Sequence, residues 1–93
     1  MTSPLDEKPT HCCLYWDYFG PSARGTAEHF LIHLKTWLTE QKLVDHSREL
    51  AVETVSPNHV SVSCQLPMKE GALVYRMLKA HRALAMPLIG HNP

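Results

Sequence analysis

Leu50-Ala-Val-Glu-Thr-Val-Ser-Pro-Asn-His-Val-Ser-Val-Ser-Cys-Gln-Leu66 is the stretch on which the fold turns. Leu50, Val52 and Thr54 alternate with Ala51, Glu53 and Val55. Beyond Ser56-Pro57-Asn58, Val60, Val62, Cys64 and Leu66 alternate with Ser61, Ser63 and Gln65. A period of two built from β-branched residues puts successive side chains on opposite faces of a strand. Two such runs joined by Pro-Asn predict a β-hairpin. A loop of Pro57, Asn58 and His59 sets Val52 against Cys64 and Leu50 against Leu66, apolar to apolar. A shorter loop would oppose Glu53 to Val62, so the longer loop is expected.

Upstream, His11-Cys-Cys-Leu-Tyr-Trp-Asp-Tyr-Phe19 is aromatic-rich and bounded by Gly20-Pro21, which predicts another strand. Its alternation separates Cys12, Leu14, Trp16 and Tyr18 from Cys13, Tyr15, Asp17 and Phe19, and the acid marks the second set as the wetter face. Ser22 is placed to cap a helix running to about residue 43. Its apolar stripe is Ala27, Phe30, Leu31, Leu34, Trp37 and Leu38, extended by Gln41. A polar connection, Val44 to Arg48, leads into the hairpin. After Pro67 the spacing of Leu73, Val74, Met77, Leu78, Ala80, His81, Leu84 and Ala85 predicts a second helix to about Met86, stopped by Pro87. Residues 1–10 read as a flexible N-terminal tail, 11–86 as a single domain, and 87–93 as a C-terminal tail or short edge strand.

The expected fold class is α+β, in the order β-α-β-β-α, with a small three-stranded antiparallel or mixed sheet and both helices on one face. This topology resembles a ferredoxin-like split βαβ unit that lacks its last strand, or keeps only a stub of it at Leu88-Ile89. The resemblance implies an order with the third strand between the first and second, which leaves the first strand at an edge. That edge has no Lys or Pro to discourage pairing, so two copies are expected to join there, or the C-terminal tail to cover it in the same or the other subunit. Trp16, Phe30, Leu34, Leu38, Val52, Val62, Met77 and Leu84 are the expected core centre.

Composition bounds the partners. At 93 residues the chain is the size of one small domain. Nine Lys and Arg balance nine Asp and Glu, so no net field draws it to DNA or to an acidic membrane surface. RNA is disfavoured because the strands as read present aromatics without Lys or Arg beside them. No run reaches the roughly 20 apolar residues of a membrane span, and the first ten residues lack the apolar stretch of a secretory signal, so a cytoplasmic location is expected. The three cysteines, two of them adjacent, are read as reduced thiols.

Several residues carry chemistry in principle. Tyr15, Asp17 and Phe19 on the open sheet face, with Arg24 nearby, are the candidate binding residues. The turn Gly20-Pro-Ser-Ala-Arg-Gly-Thr26 spaces two glycines like a phosphate-binding loop, but Thr26 stands where the lysine is needed. What is left is a helix start able to hold an anion. His29 and His33 have metal-ligand spacing without a third ligand, so no metal and no cofactor are expected. His81 in the second helix's stripe is a possible proton-transfer partner for Asp17, and Cys12, Cys13 or Cys64 would need a base to act as nucleophile. No constellation is complete. The expected function is therefore a non-enzymatic interaction or oligomerisation module, with itself or another protein as partner. A small-molecule or anion-binding domain using the Gly20 to Thr26 turn, and a small enzyme using His81 or a cysteine, are the alternatives.

Overall fold

The computed structural model describes residues 10–86. The tail expectations for either end, Leu88-Ile89 included, fall outside these residues except at Thr10. The chain runs β1 (His11–Phe19), α1 (Ala23–Glu40), a short 3-10 turn (Val44–His46), β2 (Arg48–Ser56), β3 (His59–Pro67), α2 (Met68–Leu78) and β4 (Arg82–Met86). The four strands form one antiparallel sheet in the order β2-β3-β1-β4. α1 packs across β1, β2 and β3, and α2 on β1 and β3. The class is α+β, with four strands where three were expected.

The phase of β1 decides which face is buried. Leu14 and Trp16 are 1% and 2% exposed, and they join Leu34 and Leu38 of α1, Val62, Cys64 and Leu66 of β3, and Val74 of α2 in one core. Phe30 lies with its ring centroid 5.0 Å from that of Trp16. Each fully buried Leu or Val of this set contributes on the order of 1.5–3 kcal/mol.

Both helices end by the same device. Lys42 takes φ 60° while the Leu43 N–H donates to Leu38 C=O at 2.8 Å and the Lys42 N–H to Thr39 C=O at 3.0 Å. Lys79 takes φ 52°, and the Ala80 N–H reaches Tyr75 C=O at 3.3 Å. These are turns of the Schellman type, with lysine in the left-handed position where glycine is usual. α1 therefore stops short of residue 43, and α2 stops at Leu78 rather than continuing to Met86.

Three expectations are corrected by that early stop. Residues 82–86 are a strand, paired with β1 from Tyr15↔Arg82 to His11↔Met86. β1 is thus central, and the pairing of two copies through a β1 edge has no edge to use. Met77 and Leu84 are 60% and 57% exposed rather than central to the core: α2 buries only its Gly71 and Val74 line, and Leu84 lies beside Cys13 on the open face of β4. Phe30 and Val52 are half-buried at the core's margin.

The hairpin register is also corrected. The loop is Pro57-Asn58, with Ser56 facing His59, Val52 facing Val62 and Thr54 facing Val60. An irregularity between Thr54 and Ser56 absorbs one residue, so Glu53 meets Ser61 and the apolar face stays apolar.

Two contacts fix α2 over β1. Gly71 sits against Cys12, where a β-carbon would overlap the Cys12 Sγ. The Trp16 Nε1–H donates to Leu78 C=O at 3.0 Å. His81 then donates its N–H to Tyr15 C=O at 2.8 Å and starts β4.

Candidate functional site

The register aligns Asp17 with Ser61 and Tyr15 with both Ser63 and Arg82, all on the face away from the helices. The Asp17 side chain is only 9% exposed, so the acid does not sit in open water as its position on the wetter face suggested. Its Oδ1 accepts hydrogen bonds from Ser61 Oγ at 2.5 Å, His59 Nε2 at 2.8 Å and Arg82 Nη2 at 2.9 Å. Its Oδ2 accepts from Arg82 Nε at 2.7 Å. The Arg82 guanidinium holds the carboxyl well below the usual carboxylate range, against the opposing effect of burial, with Ser61 and His59 adding to the guanidinium's pull. Asp17 in turn raises Arg82.

Aromatic rings frame this cluster. The Arg82 guanidinium carbon lies 4.3 Å from the Tyr15 ring centroid, a cation-π contact. Phe19, 71% exposed, stacks on His59 with centroids 4.4 Å apart. The Tyr15 hydroxyl is pushed up to about 12, chiefly by its hydrogen bond to Cys13 and then by burial.

Geometry decides what the cluster can do chemically. Ser61 and His59 beside Asp17 bring to mind a nucleophile, base and acid. Yet one imidazole nitrogen, Nε2, faces both Asp17 and Ser61, the latter at 3.3 Å. A relay needs the two ring nitrogens to serve different partners. The Ser61 hydroxyl also donates its hydrogen bond directly to the carboxylate and is 1% exposed, out of reach of any substrate. The Asp17 network is a clamp that ties β4 to β1 and β3.

The sequence-predicted residues divide. Tyr15, Asp17 and Phe19 share the open face. Arg24 does not join them: its Nη1 donates to Thr54 Oγ1 at 2.8 Å, and its Nε pairs with Glu28 at 3.3 Å. The helix start beside it gains no side-chain cap from Ser22. His81 lies in the exposed bend before β4, and its Nδ1 accepts the Asp17 backbone N–H at 2.8 Å, so it meets the backbone of Asp17 and not the carboxylate. Cys12 and Cys64 are buried thiols, with Cys64 pushed up to about 12 by desolvation, which leaves them poor nucleophiles.

Sequence reasoning missed His59 and Arg82. The alternation places His59 in the hairpin loop, and the apolar stripe places Arg82 in a helix. The readable signal was the alignment of Asp17 with Ser61, which puts a carboxylate on an otherwise hydroxyl-lined face in need of a cation. The face also carries an arginine after all, but Asp17 neutralises it.

The second feature is the sheet's outer edge at β4. A hollow of about 350 Å³ lies between α2 and β4, lined among others by Leu14, Gly71, Ala72, Tyr75, Ala83 and Ala85. A further hollow at the start of β4 shares Tyr75 and Ala83 with it and adds Tyr15, Arg82 and Leu84. Among the described residues no helix is long and apolar enough to cross a membrane. No family model, curated protein or solved structure matches the chain.

Proposed function

We propose that this chain is a non-enzymatic interaction module that assembles as a homodimer by joining β4 to β4 across a two-fold axis. The observation that carries the reading is the contrast between the two sheet edges. β2 is interrupted by register shifts on both sides of its centre, with Glu49 at φ 51°, and it carries Arg48 and Glu53. Such irregularity and charge discourage edge pairing. β4 pairs regularly with β1, has no Lys or Pro, and turns its one charge, Arg82, back onto Asp17.

The β4 sequence Arg-Ala-Leu-Ala-Met is also self-complementary. Antiparallel pairing centred on Leu84 sets Leu84 against its copy and Ala83 against Ala85, and it keeps the two Arg82 side chains from meeting. Leu84 is 57% exposed and would be covered on one face. On the other, the small alanines let the two α2–β4 hollows merge and bring Tyr75, now 43% exposed, toward the partner. The same patch serves both copies, as a two-fold interface requires. Within a protomer, the sheet order and the two crossover helices support a ferredoxin-like split βαβ reading, with β4 as its last strand. Three free thiols support a reducing, cytoplasmic location.

Light scattering across micromolar concentrations tests the dimer, with Leu84→Lys as the variant. That side chain is exposed, so the change leaves the protomer intact while setting two like charges opposite each other at the seam. The expected result is a dimer for the wild-type chain and a monomer for Leu84→Lys. A monomeric wild-type chain, or a variant that dimerises equally well, overturns the proposal.

A further inference from the structure

On α1, away from the sheet edge and the Asp17 clamp, His29 and His33 stand one turn apart and are both exposed. Their Nε2 atoms lie 3.0 Å apart, and the ring centroids are 4.5 Å apart at 74°. At that separation one Nε2 must carry a proton and the other must accept it. An ion that replaces this proton would sit off the line between the two nitrogens, at bonding distance from both. Two metal–nitrogen bonds of about 2.0–2.1 Å, meeting at right or tetrahedral angles, span about 2.8–3.4 Å between the nitrogens. The pair already has that bite, set by the i, i+4 spacing on the helix, and only the rings need turn to aim both lone pairs at one ion.

We propose that His29 and His33 form a two-histidine site for a borderline divalent transition metal, with Cu²⁺ bound more tightly than Ni²⁺ or Zn²⁺. Imidazole nitrogens select this class over Mg²⁺ and Ca²⁺, which take oxygen ligands. Among the described residues no group of three or more His, Cys, Asp or Glu side chains converges on a common point. Water therefore completes the shell, and the ion exchanges readily. His33 also borders a hollow between the helices with Phe30, Trp37 and Leu78. Trp37 is one turn beyond His33, so a paramagnetic ion on the pair lies close enough to quench its fluorescence.

Calorimetric titration of the full chain with Cu²⁺ and with Ni²⁺ tests the site, alongside a tryptophan fluorescence titration. One equivalent is expected to bind at micromolar concentration, with quenching that saturates at the same ratio. His29→Gln and His33→Gln should each weaken binding at least tenfold and remove the quenching. Both side chains are exposed, so the fold is expected to persist, which circular dichroism checks. His11→Ala and Cys13→Ser should bind as the wild-type chain does. Absence of saturable binding by the wild-type chain overturns the assignment. So does binding that survives both histidine substitutions, or that follows His11 or Cys13 instead.

Discussion

A carboxylate on an open sheet face would ordinarily be solvated, but the Asp17 side chain is almost fully enclosed, and Ser61, His59 and Arg82 donate hydrogen bonds to it in place of water. Its charge is part of the folded structure. With its pKa lowered in the native state, Asp17 binds fewer protons there than in the unfolded chain. The clamp's contribution is therefore complete above the unfolded carboxylate value of about 4 and is lost as the pH falls below it. We expect urea-derived stability of the wild-type chain to fall more steeply between about pH 5 and pH 2 than that of Asp17→Asn. At neutral pH, Asp17→Asn should be less stable by about 1–3 kcal/mol, since it removes the charge that pairs with Arg82 and replaces one accepting oxygen by an NH2 donor. Parallel pH profiles for the two proteins would show that the carboxylate does not hold β4. Gly71 makes a complementary case, in which the absence of a side chain matters. Alanine there gains helix propensity, yet its β-carbon would overlap Cys12 Sγ. Gly71→Ala should destabilise by about 1–3 kcal/mol. Adding Cys12→Ala should recover part of that loss, and a double-mutant cycle measures the recovery.

Elements were legible in the sequence wherever local pattern and tertiary contact agreed. The alternation of β1 located Leu14 and Trp16 inside and Tyr15 outside, and the spacing of Ala27, Leu34 and Leu38 located the buried line of α1. The hairpin's existence was legible, but its register was not, because an irregularity next to the turn leaves no mark in the alternation. The end of α2 was illegible for a definite reason. Lys79-Ala-His-Arg-Ala-Leu-Ala-Met86 is made largely of strong helix formers, and its helix stop is a lysine in a left-handed conformation. Nothing in residue type announces such a stop. What overrides propensity is the bare edge of β1, whose backbone groups gain partners only if residues 82–86 extend. The missed Asp17–Arg82 pair follows from the same misreading, since a helical Arg82 could not have been aligned with Tyr15. A stop of this kind is strained, because left-handed backbone costs about 1–2 kcal/mol for a residue with a β-carbon. Lys79→Gly is therefore expected to raise the stability by up to about 1 kcal/mol in thermal or urea unfolding, without altering the sheet. A destabilised Lys79→Gly would mean that the lysine side chain holds the turn in some other way.

At the scale of the molecule, β4 has two duties that pull in opposite directions. It covers β1, whose Cys12-Cys-Leu-Tyr-Trp16 run has neither lysine nor proline to resist pairing, and it becomes the new edge in doing so. The cover is only five residues long, and its hold depends on the Asp17–Arg82 bridge at one end of the strand. Removing it should expose more than it destroys. A chain ending at His81 keeps β1, β3, α1 and α2, which supply nearly all the buried core. It loses the β4-side partner of β1 and the strand-side wall of the hollow beside α2, so Cys12 and Leu14 lie at the open edge of a strand paired only with β3. We expect this truncated chain to retain helical circular dichroism and to self-associate beyond a dimer at micromolar concentration, read as rising scattered intensity with time. Leu14→Lys in the truncated chain would be too disruptive to interpret, because Leu14 is 1% exposed. Tyr15→Lys is the better control, since it adds a charge to the open face of the same strand and should suppress association. A truncated chain that stays monomeric would mean that β1 does not need β4 to cover it. In that case the reason offered here for residues 82–86 leaving the helix would fall with it.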